Sequence, residues 1–223
     1  GNNRTGISPT NEAALLYIDI HQSSNLIVKG LHVYDGHIRD SDINIRKENC
    51  DLQFEKVIKL KEEIESLGIE VKTIVAGGTP TFPIHSKRDN IEVSPGTSLL
   101  WDERYGGLFK DLSFLHAGVL VGSIISRPSE DIICLNFGHK SVASEMEFPR
   151  LKLLNIKNLK QISHSEEHLV CKCDKGDDLN VGDICYAIPM HICPTVPKYK
   201  KVLTVIDNEV TGQWLVAARD YNN

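Results

Sequence analysis

A chain of 223 residues, 41% hydrophobic and 25% charged, has the composition of an ordinary globular protein and is long enough for one large domain or two modest ones. Its formal net charge of −5, with lysines and arginines interspersed among acids, offers no basic stripe to a phosphate backbone, so nucleic acid is not an expected partner. No apolar run reaches the length of a membrane span and the opening GNNRTGISPT is polar, so the sequence reads as soluble, unexported and cytoplasmic, with no membrane partner.

In chain order, Ser8 and Pro9 offer an N-cap and a first-turn proline for a helix from about residue 9. LIVKGLHVY at 26–34 is β-branched and apolar at the scale of a buried strand. DLQFEKVIKLKEEIESLG then sets Phe54, Val57, Ile58, Ile64 and Leu67 at helical spacing, with Asp51 to cap the start and Gly68 the end. IEVKTIVAGG at 69–78 and NIEVSPG at 90–96 are the next strands, and strands alternating with helices predict a parallel sheet or barrel. After a short helix around 101–112, strand-length runs follow one another: AGVLVGSIISRP, DIICLNFG, HLVCKC, DICYAIPMHIC, KVLTVIDNEV and GQWLVAARD. The expected partition is an α/β part over 1–113 and a mainly β part over 114–223.

Two loops of the first part have phosphate-binding chemistry. AGGTPT at 76–81 and SPGT at 94–97 each follow a strand with glycines that let backbone N–H groups approach an anion, and Thr79 and Thr97 add hydroxyls. Either loop alone also reads as a tight turn. On successive strands, at the same end of a sheet, the pair favours a phosphate-bearing ligand. Near the other end of the chain, His191 and Cys193 stand two apart in YAIPMHICPTV, which on a strand would project both side chains from one face toward a metal ion. The alternative is a small core cysteine beside a histidine bonded to a carbonyl. The six cysteines, Cys50, Cys134, Cys171, Cys173, Cys185 and Cys193, are scattered rather than packed into a disulfide framework, which suits a reducing compartment. Cys171 and Cys173 joined to His191 and Cys193 would make a closed structural zinc site, a rival to any open one.

NRTGISP, GLHVYDGH, AGGTPTFP, EVSPGTSLLWD, SEEH, VGD and HICPTV occur in an order that resembles the D-serine dehydratase and D-threonine aldolase family, from residue 1 to about 200. The resemblance implies an α/β plus β fold, the C-terminal portion of an alanine-racemase-like β/α barrel followed by a mainly β domain. It also implies pyridoxal 5'-phosphate as cofactor, zinc or another divalent metal, and a small-molecule D-amino acid substrate. Carried over by motif, Arg4 would hold the cofactor's phenolic oxygen and Tyr34 would lie near the pyridine ring. Thr79, Gly96 and Thr97, helped by Gly77 and Gly78, would cradle the phosphate, and His191 and Cys193 would ligate the metal.

The chain departs from the family pattern in two respects, a large one and a smaller one. The Schiff-base lysine of such enzymes stands near the start of the barrel, and nothing here resembles that strand, so it is expected upstream of Gly1 in a missing N-terminal barrel segment. Lys140 of NFGHKSVASE is read as a solvent-facing lysine, not as its replacement. Ser94 stands where many relatives carry arginine opposite the pyridine nitrogen. His32 and His37 beside Tyr34, and Glu166, Glu167 and His168, admit structural readings as readily as functional ones. The expected activity is a pyridoxal phosphate- and zinc-dependent lyase on D-3-hydroxy amino acids, foremost D-serine dehydration to pyruvate and ammonia, in a homodimer. D-threonine aldolase is the alternative, and a non-catalytic pyridoxal phosphate-binding protein the rival of another class.

Overall fold

The computed structural model describes residues 2–220. The chain forms two compact units: the first runs to Leu99 and takes in Phe109–Leu112, and the second comprises Leu100–Leu108 and the chain from Ser113 onward.

The first unit contains α1 (Asn11–Gln22), β1 (Gly30–Val33), α2 (Ile43–Ser66), β2 (Thr73–Ala76), α3 (Phe82–His85) and β3 (Ile91–Val93). Its strands form one parallel sheet in the order β1-β2-β3, with Gly30 opposite Thr73 and Ile74 opposite Ile91. Ala13, Ala14 and Tyr17 of α1 and Phe54, Val57, Leu60 and Ile64 of α2 bury their apolar stripes with Ile74 and Ala76. Buried Arg46 ties residues 109–112 into this unit, with its guanidinium paired to Asp111 and stacked 4.8 Å from the centre of the Phe109 ring.

Two helix starts differ from the sequence reading. α2 begins at Ile43, because the Asp42 carboxylate accepts the N–H groups of Asn44 at 2.7 Å and Ile45 at 3.2 Å. Asp51 therefore lies inside the helix and pairs with Lys47 and Arg88. Gly68 ends α2 as expected, with φ at +83°. α1 begins at Asn11, since the Ser8 carbonyl is engaged by the Thr10 N–H at 2.8 Å in a turn, and neither Ser8 nor Thr10 caps through its side chain.

The second unit holds α4 (Glu103–Leu108), β4 (Leu120–Ser129), β5 (Ile132–Leu135), β6 (Leu151–Leu153), β7 (Lys160–His164), β8 (Leu169–Lys172), β9 (Ile184–Pro189), β10 (Lys201–Ile206) and β11 (Glu209–Leu215). Six of these strands make an antiparallel sheet in the order β6-β9-β4-β5-β8-β7, and β10 and β11 form a hairpin. Leu120, Ile124, Ile133, Leu135, Phe137, Leu169 and Ala187 fill its core together with Cys171, Cys173 and Cys185. Asp207 and Asn208 turn the β10–β11 hairpin with φ of +50° and +65°, the conformation that matches strand twist in a two-residue loop. β6 and β7 are short and carry charged or polar residues, which hid them from a reading by hydrophobic runs.

The strand expected to carry His191 and Cys193 stops before them. β9 ends at Pro189, one last bond joins the Met190 N–H to the Arg150 carbonyl at 2.9 Å, and the chain turns through 191–195. Among the described residues, no helix is long and apolar enough to cross a membrane.

Candidate functional site

Parallel strands deliver their following loops to one edge of the sheet. Tyr34 comes directly after β1, Gly77–Thr79 after β2 and Ser94–Thr97 after β3. Hydrogen bonds stitch these loops together. The Gly77 N–H donates to the Val33 carbonyl at 2.9 Å, the Ser94 hydroxyl to the Gly77 carbonyl at 3.1 Å, and the Thr97 N–H to Thr79 Oγ1 at 3.1 Å. A β-carbon on Gly78 would lie 3.0 Å from Tyr34 Cε2, so the tyrosine ring rests against that backbone. The Arg4 guanidinium stands 5.4 Å from the Tyr34 ring centre, a cation over an aromatic face. Arg4, Tyr34, Gly77, Gly78, Thr79, Gly96 and Thr97 thus occupy one connected patch of loop.

The glycines in that patch do different work. A β-carbon on Gly96 would meet nothing within 4 Å, so its backbone faces open space that a ligand can approach. Gly77 instead needs glycine for packing: its φ is +82°, and a β-carbon would fall 2.8 Å from His85 Cδ2 and 2.9 Å from Thr81 Oγ1. Two threonine hydroxyls, an arginine and an open glycine backbone suit an anionic group on an aromatic ring.

Behind the loop lies a buried cluster that the sequence reading missed. Asp35 Oδ1 accepts the Gly78 N–H at 3.2 Å and the Thr81 hydroxyl at 2.6 Å, while Oδ2 lies 2.9 Å from His85 Nε2. Cys50 Sγ is 3.3 Å from the same imidazole nitrogen. Burial alone would raise the Asp35 carboxyl, but the hydrogen bonds from His85, Thr81 and Gly78 outweigh it and hold the group below the ordinary carboxylate range. Burial, reinforced by the Asp35 charge, pushes the Cys50 thiol up to about 11. Among the described residues, Asp35, Cys50 and His85 are the set of three metal-ligand side chains whose donor atoms all lie within 4.8 Å. His32 and His37 are exposed and stand outside this cluster.

His191 and Cys193 form a separate feature in the second unit. Cys193 is exposed and hydrogen-bonded to His191, and His191 Nδ1 also contacts Glu145 Oε1. The contact with Cys193, and after it that with Glu145, holds His191 above its usual range although burial works against this. The loop is braced from behind by buried Asp102, whose carboxylate accepts the Ile192 N–H at 3.1 Å and the Tyr105 N–H at 2.9 Å. The Thr195 hydroxyl donates to the His191 carbonyl at 2.7 Å and accepts the Ala143 N–H at 3.2 Å. The Asp102 signal lies in the quoted EVSPGTSLLWD, although nothing local showed what its carboxylate would hold.

Cys171 and Cys173 are buried in the sheet core and do not join His191 and Cys193 in any group of three or more ligand side chains among the described residues. Burial pushes Cys171 up to about 12, which opposes the thiolate a metal requires. Lys140 is exposed and paired with Glu167 at 2.7 Å and Glu166 at 2.9 Å, and these carboxylates hold it protonated beyond the usual lysine range. A cavity of about 620 Å³ in the same unit, walled by Arg104, Leu151, Ile156 and Met190 among others, does not include His191 or Cys193.

Comparison with known structures identifies the fold. The chain superposes on a D-threonine aldolase from Filomicrobium marinum with TM-score 0.86 at 24% identity, covering 98% of this chain and 60% of that one. It superposes on an alanine racemase from Clostridium difficile 630 with TM-score 0.60 at 18% identity, covering 83% and 50%. A D-threo-3-hydroxyaspartate dehydratase from Delftia sp. HT23 gives TM-score 0.80 at 13% identity, covering 96% and 63%. Two variants of such a dehydratase also superpose, one with a histidine changed to alanine and one, in a metal-free form, with a cysteine two positions further on changed to alanine. The architecture is therefore alanine-racemase-like, part of a β/α barrel followed by a β domain.

In sequence, residues 117–205 match the family described as a putative serine dehydratase domain. A D-threonine aldolase from Arthrobacter sp is 24% identical over 229 residues, covering all of this chain and 59% of the relative. The chain spans about 60% of the length of the relatives it matches.

Proposed function

We propose that the chain forms the cofactor- and metal-binding part of a pyridoxal phosphate-dependent lyase that acts on D-3-hydroxy amino acids, with D-serine dehydration to pyruvate and ammonia as its reaction. The observation that carries this reading is the junction of two loops remote in sequence, the Thr97 N–H on Thr79, beside open Gly96 and the Arg4–Tyr34 stack. Thr79, Thr97 and the Gly96 backbone would receive the phosphate, Tyr34 would flank the ring and Arg4 would meet the phenolic oxygen. When bound, the cofactor supplies an electron sink at Cα and the metal a Lewis acid for the substrate's β-oxygen. His191 and Cys193 would hold that metal, with Glu145 orienting the imidazole through Nδ1 so that Nε2 is left for ligation. Asp102 and Thr195 keep the two ligands in register by fixing the backbone at 191 and 192.

Support for dehydration comes from the spacing. A histidine and a cysteine two apart are the residues varied in the superposing hydroxyaspartate dehydratase, whose cysteine variant is metal-free. D-threonine aldolase is the second reading, favoured by the Arthrobacter and Filomicrobium relatives. His191 and Cys193 would serve it equally, since the metal they would hold would supply the same Lewis acid for the substrate's β-oxygen.

The test is metal content and product analysis on His191→Ala and Cys193→Ala. Both variants are expected to lose bound zinc, and all turnover when measured in the enzyme that carries the Schiff-base lysine, while keeping the circular dichroism of the parent. Unchanged zinc in both would refute the assignment. Pyruvate from D-serine, against glycine and acetaldehyde from D-threonine, separates the two reactions.

A further inference from the structure

We propose that Asp35, Thr81 and His85 are positioning residues that hold the 77–79 loop in its phosphate-receiving shape, and that their cluster with Cys50 is not a metal centre; this rests on the cofactor site proposed above.

The first half of the argument is where the loop's donors go. The Gly78 N–H points away from the ligand face, to Asp35 Oδ1 and Thr81 Oγ1, both at 3.2 Å. Thr81 in turn donates to the same Asp35 oxygen at 2.6 Å. This fixes the peptide before Thr79, so that Thr79 leaves the turn with its hydroxyl on the Thr97 N–H at 3.1 Å. His85 closes the cluster from behind, with Cδ2 against the α-carbon face of Gly77 and Nε2 on Asp35 Oδ2. Asp35, Thr81 and His85 are buried, so these bonds compete with little water.

The second half concerns the proton on His85. Arg88 Nε, a donor at any accessible pH, lies 3.3 Å from His85 Nδ1. That nitrogen must therefore accept, and the ring proton sits on Nε2, facing the carboxylate. A metal shared with Asp35 and Cys50 would need Nε2 bare and Nδ1 protonated, which would set two N–H groups against each other at Arg88. Cys50 is a neutral thiol beside the pair, as its burial requires. Hydrogen bonding satisfies the cluster in full, whereas ligation would leave the Arg88 contact repulsive.

The test uses pyridoxine 5'-phosphate and pyridoxine, which lack the aldehyde and so bind without any Schiff-base lysine. Equilibrium dialysis gives the ratio of their affinities, the increment due to the phosphate. The wild-type chain is expected to prefer the phosphorylated form. Thr81→Val, which removes the hydroxyl at constant shape, should lower that ratio about tenfold, the effect of one lost buried hydrogen bond. Pyridoxine affinity should stay the same, and Thr81→Ser should restore the ratio. If Thr81→Val melts below the assay temperature, His85→Leu should lower the ratio and His85→Gln, whose amide can still donate to Asp35, should keep it. A wild-type ratio near one would overturn the cofactor site and this inference together. An undiminished ratio in Thr81→Val, or in His85→Leu if that pair is used, would overturn the inference alone. Zinc uptake that Cys50→Ser abolishes and His191→Ala leaves in place would overturn it in favour of a metal centre.

Discussion

Asp102 offers a direct measure of how the proposed metal loop is held. Its buried side chain caps α4 through the Tyr105 N–H and takes the N–H of Ile192, itself buried between the two candidate ligands. Asp102→Ala removes both acceptors. Loss of a helix cap costs about 1 kcal/mol, and a buried N–H left without a partner costs about 1–3 kcal/mol. Together these give a destabilisation of about 3 kcal/mol, or about 6–12 °C in melting temperature for a chain of this size. Asp102→Asn keeps one acceptor oxygen and should lose only about half as much.

The pH dependence separates the acceptor from its charge. Burial raises the Asp102 carboxyl above its ordinary 3.8 in spite of both N–H bonds, so the folded protein binds this proton more tightly than the unfolded chain. Stability from this group is therefore fully present below 3.8 and declines as pH rises toward the raised value; Asp102→Asn should lack that decline. Thermal melts followed by circular dichroism from pH 3 to 8 would measure both effects. Zinc titration of the folded variants should show weakened binding, since freeing Ile192 loosens His191 and Cys193 at once. If Asp102→Ala melts within about 2 °C of the parent, where the two lost bonds predict several times that shift, the bracing argument is wrong.

Two glycines should respond in opposite ways. Gly96→Leu, which projects into open space, is expected to leave stability within about 0.5 kcal/mol of the parent. Its affinity for pyridoxine 5'-phosphate should fall about tenfold or more, as the side chain fills the approach to the backbone. Gly77→Ala should instead destabilise the first unit by about 2 kcal/mol, because its left-handed backbone disfavours a β-carbon that would also press on His85 and Thr81. Equal effects at both positions would show that the loop has been misread. Borohydride reduction of the cofactor-loaded protein followed by peptide mapping should leave Lys140 unlabelled, given its exposed pairing with Glu166 and Glu167; label on Lys140 would overturn its assignment as a surface ammonium.

Much of the architecture was legible because its signals are local. The apolar stripe of α2, the stop at Gly68 and the glycine–threonine loops after β2 and β3 each lie within a short window, where backbone preference and side-chain period act directly. The exact helix starts were less so, since Asp42 and Asp51 both offer a capping carboxylate and only the one that reaches free N–H groups serves. The pairing of His191 with Cys193 was visible as a motif, but not its setting. That setting depends on where β9 ends and on a carboxylate 90 residues away that holds Ile192.

The same holds for the cluster behind the proposed phosphate loop. Asp35, Cys50, Thr81, His85 and Arg88 come from the loop after β1, the long helix α2 and the short helix α3 with its flanking turns, with no spacing that marks them as partners. Residue types and local periodicity determined which elements form and which loops can approach an anion. Which donor meets which acceptor across the fold, and on which imidazole nitrogen a proton rests, was decided only when parallel pairing brought those strand ends to one edge. The reason is physical: a hydrogen bond reaches about 3 Å, and no preference acting along a few residues of chain specifies distances that short between groups so far apart in sequence.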